Sequence, residues 1–374
     1  MKGKRVKFLY LSEPDMIKAG VLDMHKCVET MVETFELVGK GDYLMGGPGE
    51  NHHGMMIYFP KERRFPNMPV AGPDRRFMAM VAYLGGRFNV CGEKWYGSNV
   101  ENPTWGLPRS ILLVVLNDPA TSEPLAIMSA NLISAMRTGA IPGVAARYLA
   151  RKNSEVIGII GGGVISKACL MALVDVLENA REVRVYDIVR SKAEEFSKQM
   201  SEQLKVDVHP VDSMEQAVVD CDVVNVATAG EAMPYVKTEW LKEGSMLSLP
   251  AGIKLDEELL LTSKVVVDNW KMHAAWRDEL EEYEKGSSKT KIVLGTSYLF
   301  KLIEDGKIYE RDIVSLGQVA IGEKPGRVND KESTVCMMGG MPVEDVAWGY
   351  AVYQEALRQG IGQELTLWEE PYWF

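Results

Sequence analysis

Three stretches of the chain carry residue types at spacings that could do chemistry. Residues 158–170 read GIIGGGVISKACL, so Gly161, Gly163 and Ser166 form a G-x-G-x-x-S loop between an apolar run and a helical pattern. The first glycine of such a loop allows a tight turn and the second lets backbone approach a pyrophosphate. That anion then rests on the first amides of the helix, here those of Val164 and Ile165. The third position must be small, and serine is. The next apolar run, VRVYD, ends at Asp187, where a carboxylate would accept hydrogen bonds from the adenosine ribose hydroxyls and repel a 2′-phosphate. Arg190 and Lys192 follow and could instead greet that phosphate, but the aspartate favours NAD over NADP. NVATAG, residues 225–230, places Ala227, Thr228 and Ala229 after another apolar run, where a strand-end loop would flank the cofactor. A tight turn in a packed sheet is the competing reading of each piece, and the register of strand, loop, helix and acid together favours the dinucleotide.

A cofactor needs a substrate opposite it. GEKWYGSNVEN sets Lys94 among Trp95, Tyr96, Ser98 and Asn99, and SANLISAMRTGAIPGVAARYLARK sets Arg137 and Thr138 at the opening of a helix rich in small residues. The lysine is either a partly buried cation or a snorkelling surface residue. The arginine could reach a carboxylate or phosphate in a cleft, or form an interdomain salt bridge. His52 and His53, in GENHHGMM, are a further candidate for proton transfer, although paired loop histidines are usually exposed. His25, His209 and His273 stand alone, so no metal site is expected.

These residues need elements to hold them. From about 154 to 275, short β-branched runs alternate with helical segments, the pattern of right-handed βαβ units in a parallel, doubly wound sheet. Residues 1 to about 135 are different, with β-rich pieces such as FMAMVAYL and SILLVVLND joined by Gly- and Pro-bearing turns, a separate α+β unit. MPVEDVAWGYAVYQEALRQGIG reads as a helix ending at glycine. With 374 residues, two domains are expected. The balance of 42 basic against 52 acidic residues, with no basic run, argues against a nucleic-acid or anionic-membrane surface and for small-molecule chemistry. The five cysteines have no metal or disulfide spacing and read as reduced, buried thiols. No stretch is long and apolar enough to cross a bilayer, the start lacks a secretory signal, and a cytoplasmic location is expected.

The order GEKWYGSN, NDPATSEPLAIMSANLISAMRTGA, GIIGGGVIS, VYD, DVVNVAT and GEKPGRVNDKESTVCMMGGMPVEDVAWGYAVYQEA resembles the ornithine cyclodeaminase and μ-crystallin family. The likeness runs from about residue 78 nearly to the end. The segments DYLMGGPGENHHGMM and GPDRRFMAM resemble a bacterial subgroup that takes its name from tyramine oxidase. The resemblance implies an NAD-binding Rossmann domain, residues 141–314. It also implies an α+β substrate and dimerisation domain built from both chain ends, 1–140 and 315–374, and a homodimer. It assigns Lys94 and Arg137 to the substrate carboxylate and Thr138 to the cofactor phosphates. It adds an upstream arginine, for which Arg76 is the candidate and Arg75 the near alternative.

The match breaks at one point. Cyclodeaminases carry a proton-handling aspartate before a Pro-Gly-Lys, and GSMLSLPAGIKLDEELL places Ser248 there and Gly252 at the lysine. Serine is no carboxylate base near neutral pH, a loss on the order of 10² to 10⁴ in rate. TVCMMGG, residues 334–340, likewise replaces a more polar family stretch with an apolar one. The expected activity is NAD-linked hydride transfer at the α-carbon of an amino acid, N-substituted amino acid or cyclic imine. A cyclodeaminase-type lyase using NAD catalytically, and a non-catalytic dinucleotide and ligand binder or accessory component of an oxidase, are the alternatives.

Overall fold

The computed structural model describes residues 3–228, 233–284 and 296–373; Ala229 and the Gly-Ser-Ser break at 286–288 lie outside them. The first sheet begins with β1 (Val6–Leu11), β2 (Tyr43–Met45), β3 (Met55–Tyr58), β4 (Arg76–Leu84), β5 (Val90–Ser98), β6 (Ser110–Asn117) and β7 (Pro124–Ser129). A doubly wound part follows, with β8 (Val156–Ile160), β9 (Glu182–Tyr186), β10 (Asp207–Pro210), β11 (Val223–Val226), β12 (Tyr235–Val236), β13 (Met246–Leu249), β14 (Lys254–Leu255), β15 (Lys264–Val267), β16 (Val314–Ser315) and β17 (Thr334–Met337). The last strand, β18 (Gln363–Trp368), returns to pair antiparallel with β1. The first sheet thus has the order β18-β1-β7-β6-β5-β4-β2, with β3 also on β4. Both chain ends build it.

Alternation explains this sheet. Met78, Met80, Ala82 and Leu84 of β4 and Leu112, Val114 and Leu116 of β6 point inward and are buried, whereas Phe77, Val81, Ile111 and Leu113 point out and are exposed. Period-2 patterning of this kind gives one apolar face to a core. The inner face is covered by the helix Pro342–Gln359, which lies so close that a Cβ on Gly92 of β5 would stand 3.0 Å from Val346. That helix starts with Pro342 and ends at Gly360 in the left-handed region, the expected punctuation at its two ends.

The second sheet has the order β10-β9-β8-β11-β13-β17-β15-β16, and every pair in it is parallel. Its central strands VIGII, VVNV, MLSL and TVCM are buried along almost their whole length, as strands covered on both faces must be. The expected α/β architecture, a Rossmann-type sheet with an α+β partner, is what the chain forms. Two details differ from the sequence reading. That reading puts residues 315–374 with the first unit, yet Thr334–Met337 inserts between β13 and β15 in the second sheet; its four buried residues need cover on both faces, which a half-solvated antiparallel sheet cannot give. The stretch SMEQAVVD, one of the helical segments expected in the alternating pattern, forms turns instead, and there Ala217 brings its carbonyl oxygen to 1.9 Å from where a Cβ on Gly158 would stand.

The two units meet where the helix Asn131–Leu149 crosses the helix Val164–Val176. A Cβ on Gly139 would lie 2.3 Å from that of Ala168, and one on Gly143 would lie 2.9 Å from that of Ala172. Small residues on both helices allow backbone-to-backbone approach at this crossing. Gly139→Leu is therefore expected to overpack it and to destabilise the fold by about 2 kcal/mol, within the range for added bulk in a close-packed core. Chemical unfolding followed by circular dichroism checks this, and an unchanged midpoint would refute the close approach.

Candidate active site

Lys94 sits in the middle of β5, with Met80 of β4 and Val114 of β6 as its neighbours in the ladder. Its position in the alternation turns the side chain to the covered face, where only 2% of the residue is exposed. Arg137 projects from the second turn of the helix Asn131–Leu149 and is 5% exposed. The helix begins at Asn131, not at Arg137, because the Asn131 side chain bonds both Leu112 N–H and the Ser110 carbonyl of β6 and fixes the start there.

Both cations converge on one acid. The Lys94 ammonium donates to Asp345 Oδ2 at 2.7 Å and to Ser134 Oγ at 3.4 Å. Arg137 donates from Nε to Asp345 Oδ1 at 3.0 Å and from Nη1 to Glu344 Oε2 at 2.7 Å. Glu344 and Asp345 occupy the first turn of the helix Pro342–Gln359, where the helix dipole favours carboxylates. Arg137 therefore does form salt bridges, and they are part of a buried polar cluster. Sequence reading missed this acid pair, because acids just after a proline at a helix start read as ordinary first-turn residues.

Burial shapes the charge of the cluster. It pushes the Lys94 ammonium down to about 8, helped by the neighbouring Arg137 charge and opposed by Asp345. It pushes the Glu344 carboxyl up to about 8 against the pull of Arg137. Glu344 Oε1 is buried and has no hydrogen-bond partner among the described residues, which disfavours a full negative charge there. Near pH 7 burial thus favours the protonated form of Glu344, so the positive charge of Lys94 and Arg137 is not fully matched by acids in the cluster.

A glycine turn closes the cluster. Gly340 has φ +78°, and a Cβ on it would stand 2.4 Å from Arg137 Nη1. Its amide and that of Gly339 both donate to Asp268 Oδ2 at 2.7 Å. Asp268 Oδ1 lies 2.6 Å from His273 Nε2, and burial of Asp268 is outweighed by His273 and the two amides, which hold its carboxyl below the usual range. His53 Nδ1 meets the Gly340 carbonyl oxygen at 2.7 Å, and Trp276 packs against both histidine rings. The methionines of TVCMMGG are core residues: Met337 and Met338 are 2% and 8% exposed.

Arg76 stands at the start of β4, opposite Ser98 of β5 and on the same inward face as Lys94. Its guanidinium lies 5.5 Å from the Tyr96 ring centroid and 2.9 Å from Asp74. Arg75 pairs with Glu101 and donates to the Val70 carbonyl oxygen. The structure brings Lys94 and Arg137 together on Asp345 and leaves Arg76 further along the same sheet face. Ser248 is fully buried in β13 and donates to Asn225 Oδ1 at 2.9 Å.

The glycine loop follows β8. Gly161 has φ +99°, and a Cβ there would lie 2.8 Å from the Ala227 carbonyl oxygen, so β11 and its loop press directly on the turn. Nothing lies within 4 Å of where a Cβ on Gly163 would be, and this residue caps the helix Val164–Val176 without any side chain covering its first amides. Val164 is exposed and Ile165 half-buried beside it, and Ser166 Oγ reaches the Ala227 carbonyl at 3.4 Å. Asp187 at the end of β9 accepts from Gly162 N–H at 2.8 Å and Val189 N–H at 2.8 Å, which locks the acid beside the loop. Thr228 is half-buried against Gly161. Thr138 is half-buried next to Gly139, at the crossing with this same helix. An uncovered helix N-terminus, an open second glycine and an anchored strand-end acid fit a dinucleotide. Among the described residues no cluster of three or more His, Cys, Asp or Glu is placed to hold a metal.

The chain is similar to known proteins over nearly its whole length. N-((2S)-2-amino-2-carboxyethyl)-L-glutamate dehydrogenase of Staphylococcus aureus is 28% identical over 97% of this chain and 99% of its own length. Delta(1)-pyrroline-2-carboxylate reductase of Thermococcus litoralis, solved with NADH and L-proline, superposes with a TM-score of 0.77 at 29% identity over 95% of this chain and 99% of that one. An archaeal alanine dehydrogenase dimer solved with NAD gives a TM-score of 0.78 at 28% identity over 97% and 100%. The profile of the ornithine cyclodeaminase/mu-crystallin family matches residues 21–360, and the chain belongs to that family.

Proposed function

We propose that this protein is an NAD(H)-dependent oxidoreductase that moves a hydride to or from the α-carbon of an amino acid, an N-substituted amino acid or a cyclic imine. One observation carries the reading. A single helix, Asn131–Leu149, presents Arg137 to the Lys94–Asp345 cluster and, two residues on, packs Gly139 against the helix that begins at the glycine loop. A carboxylate held at the cluster is thereby kept at a fixed offset from a dinucleotide held at the loop. The relatives named above supply the chemistry: they are dehydrogenases and a reductase of amino acids and an imine, two of them solved with NAD or NADH.

In this reading Arg137, Lys94 and Arg76 hold the substrate carboxylate. Gly161, Gly163, Val164, Ile165, Asp187, Ala227, Thr228 and Thr138 hold the cofactor, as would Ala229 beyond the described residues. NAD held by these residues would supply the hydride-transfer chemistry, and the protein contributes position and charge. The net positive charge of the cluster attracts the carboxylate, and a neutral fraction of Lys94 is available to take the proton that leaves the amine. A homodimer is part of the proposal, and the outer face of the first sheet supports it. Leu44, Val81, Trp95, Ile111 and Leu113 are each 38–49% exposed there, beside a groove of about 520 Å³. Contiguous apolar surface of this kind marks an interface. Five free cysteines support a reducing, cytoplasmic setting.

Absorbance of NADH, followed while the protein and NAD meet a panel of L-amino acids, or NADH meets keto acids with amines and cyclic imines, tests the activity. A substrate-linked change is expected; ammonia without net NADH would instead identify a lyase, and silence with tight NADH binding a non-catalytic binder.

Arg137→Ala is expected to cost roughly 2–5 kcal/mol of carboxylate affinity while NADH affinity stays within a few-fold, as for loss of one member of a buried charge pair. Parallel loss of both affinities in calorimetry would place Arg137 on the cofactor. The charge of the cluster also sets a pH dependence. Below about 8, Lys94 is charged and Glu344 neutral; as pH rises through that value both changes remove positive charge, so KM for the amino-acid carboxylate is expected to rise. Glu344→Gln should make the rise shallower, and a KM that is flat from pH 6.5 to 9.5 would contradict the assignment.

A further inference from the structure

His53 belongs to the segment between β2 and β3, far in sequence from the other residues of the cluster, and the fold brings it to the edge of that cluster. Its Nδ1 lies 2.7 Å from the Gly340 carbonyl oxygen. Gly340 is in turn the residue whose added Cβ would stand 2.4 Å from Arg137 Nη1. A carbonyl oxygen only accepts, so the proton of the imidazole is assigned to Nδ1, and in the neutral ring Nε2 is a bare lone pair. The ring is neutral in the working range, because burial, with the nearby charges of Lys94 and Arg137, drives its pKa down to about 3. Trp276, with its centroid 5.0 Å from that of the imidazole, fixes the ring from the side.

The acceptors around the cluster can be counted. Both oxygens of Asp345 are engaged, one by Lys94 and one by Arg137, and Glu344 Oε2 is engaged by Arg137. Glu344 Oε1 is buried and closed off. Nε2 of His53 has no partner among the described residues and the residue is partly exposed, so it is an acceptor open to a ligand at this place. A substrate whose carboxylate is drawn to the arginines presents its nitrogen one bond beyond the carbon that bears that carboxylate.

We infer that His53 Nε2 accepts a hydrogen bond from the N–H of the substrate's α-nitrogen, so that the site takes amines and imines that keep a hydrogen on nitrogen and discriminates against those that have none. The inference deepens the proposed function and rests on the carboxylate-site reading. His53 in this role orients the nitrogen; the hydrogen bond is made and no proton changes owner.

Two planar carboxylates of nearly equal shape test it: pyrrole-2-carboxylate, which has a ring N–H, and furan-2-carboxylate, which has a ring oxygen in its place. Calorimetry with the full-length protein saturated with NADH is expected to show the pyrrole bound about tenfold more tightly, the value of one hydrogen bond to a committed acceptor. In His53→Phe the preference should collapse to within about twofold with NADH affinity unchanged. His53→Gln, which sets an amide oxygen near the place of Nε2, should recover part of it. A wild-type protein that binds both analogues equally would overturn the inference and leave the carboxylate site standing, as would a His53→Phe variant that keeps the preference. Parallel weakening of both analogues in the two variants would reduce His53 to a packing latch on Gly340 and overturn it as well. A wild type that binds NADH and neither analogue would remove the carboxylate-site reading and this inference with it.

Discussion

The shared carboxylate of Asp345 is the interaction on which the rest of the structure depends. Lys94 comes from a strand, Arg137 from a helix more than forty residues later, and Asp345 from a helix near the other end of the chain. None of the three charges could be buried alone, because transfer of an isolated ion from water costs several kcal/mol even after relaxation. Asp345 is therefore held by both cations and each cation by Asp345, and the elements that carry them must meet. The return of the chain's end across the first sheet is the geometric consequence, completed by β18 pairing with β1.

A buried cluster of this kind is not a stabilising device in the first instance. Replacement by apolar side chains of equal volume would often serve stability as well. On the proposed reading the cluster supplies a positive site with fixed geometry, because burial favours the neutral form of Glu344 while Asp345 remains shared. The neighbouring glycine turn is held by Asp268 and admits no Cβ, so Arg137 can lie directly against backbone. The same helix then meets the dinucleotide helix through glycine and alanine, so site and cofactor loop are coupled by rigid backbone and not by flexible side chains.

Particular residues show where sequence reasoning reaches and where it stops. The glycine loop and Asp187 are legible because the features proposed to hold the cofactor are local backbone ones: a positive φ at Gly161, an uncovered helix start, and an acid at the next strand end. Lys94 and Arg137 are visible as candidate cations, but their pairing at one site is legible only through family likeness, since an isolated lysine in a strand has no local mark of burial. Glu344, Asp345, Asp268 and His273 are not, because each looks locally like a helix-start acid or a lone polar residue. The strand Thr334–Met337 falls in a different unit from the expected one for a related reason: an apolar run states that it is buried, not in which sheet.

By itself the amino-acid sequence determined the periodicities, hence a parallel sheet buried on both faces and an antiparallel one buried on one, and it determined the backbone chemistry of the glycine loop. Those properties are set by neighbours within a few residues. Only the tertiary structure decided which charges share a carboxylate, which imidazole nitrogen bears the proton beside Gly340, and which sheet face is left apolar and uncovered. These depend on distances between residues far apart in the chain, and on burial, which changes the charge a side chain carries once water is removed.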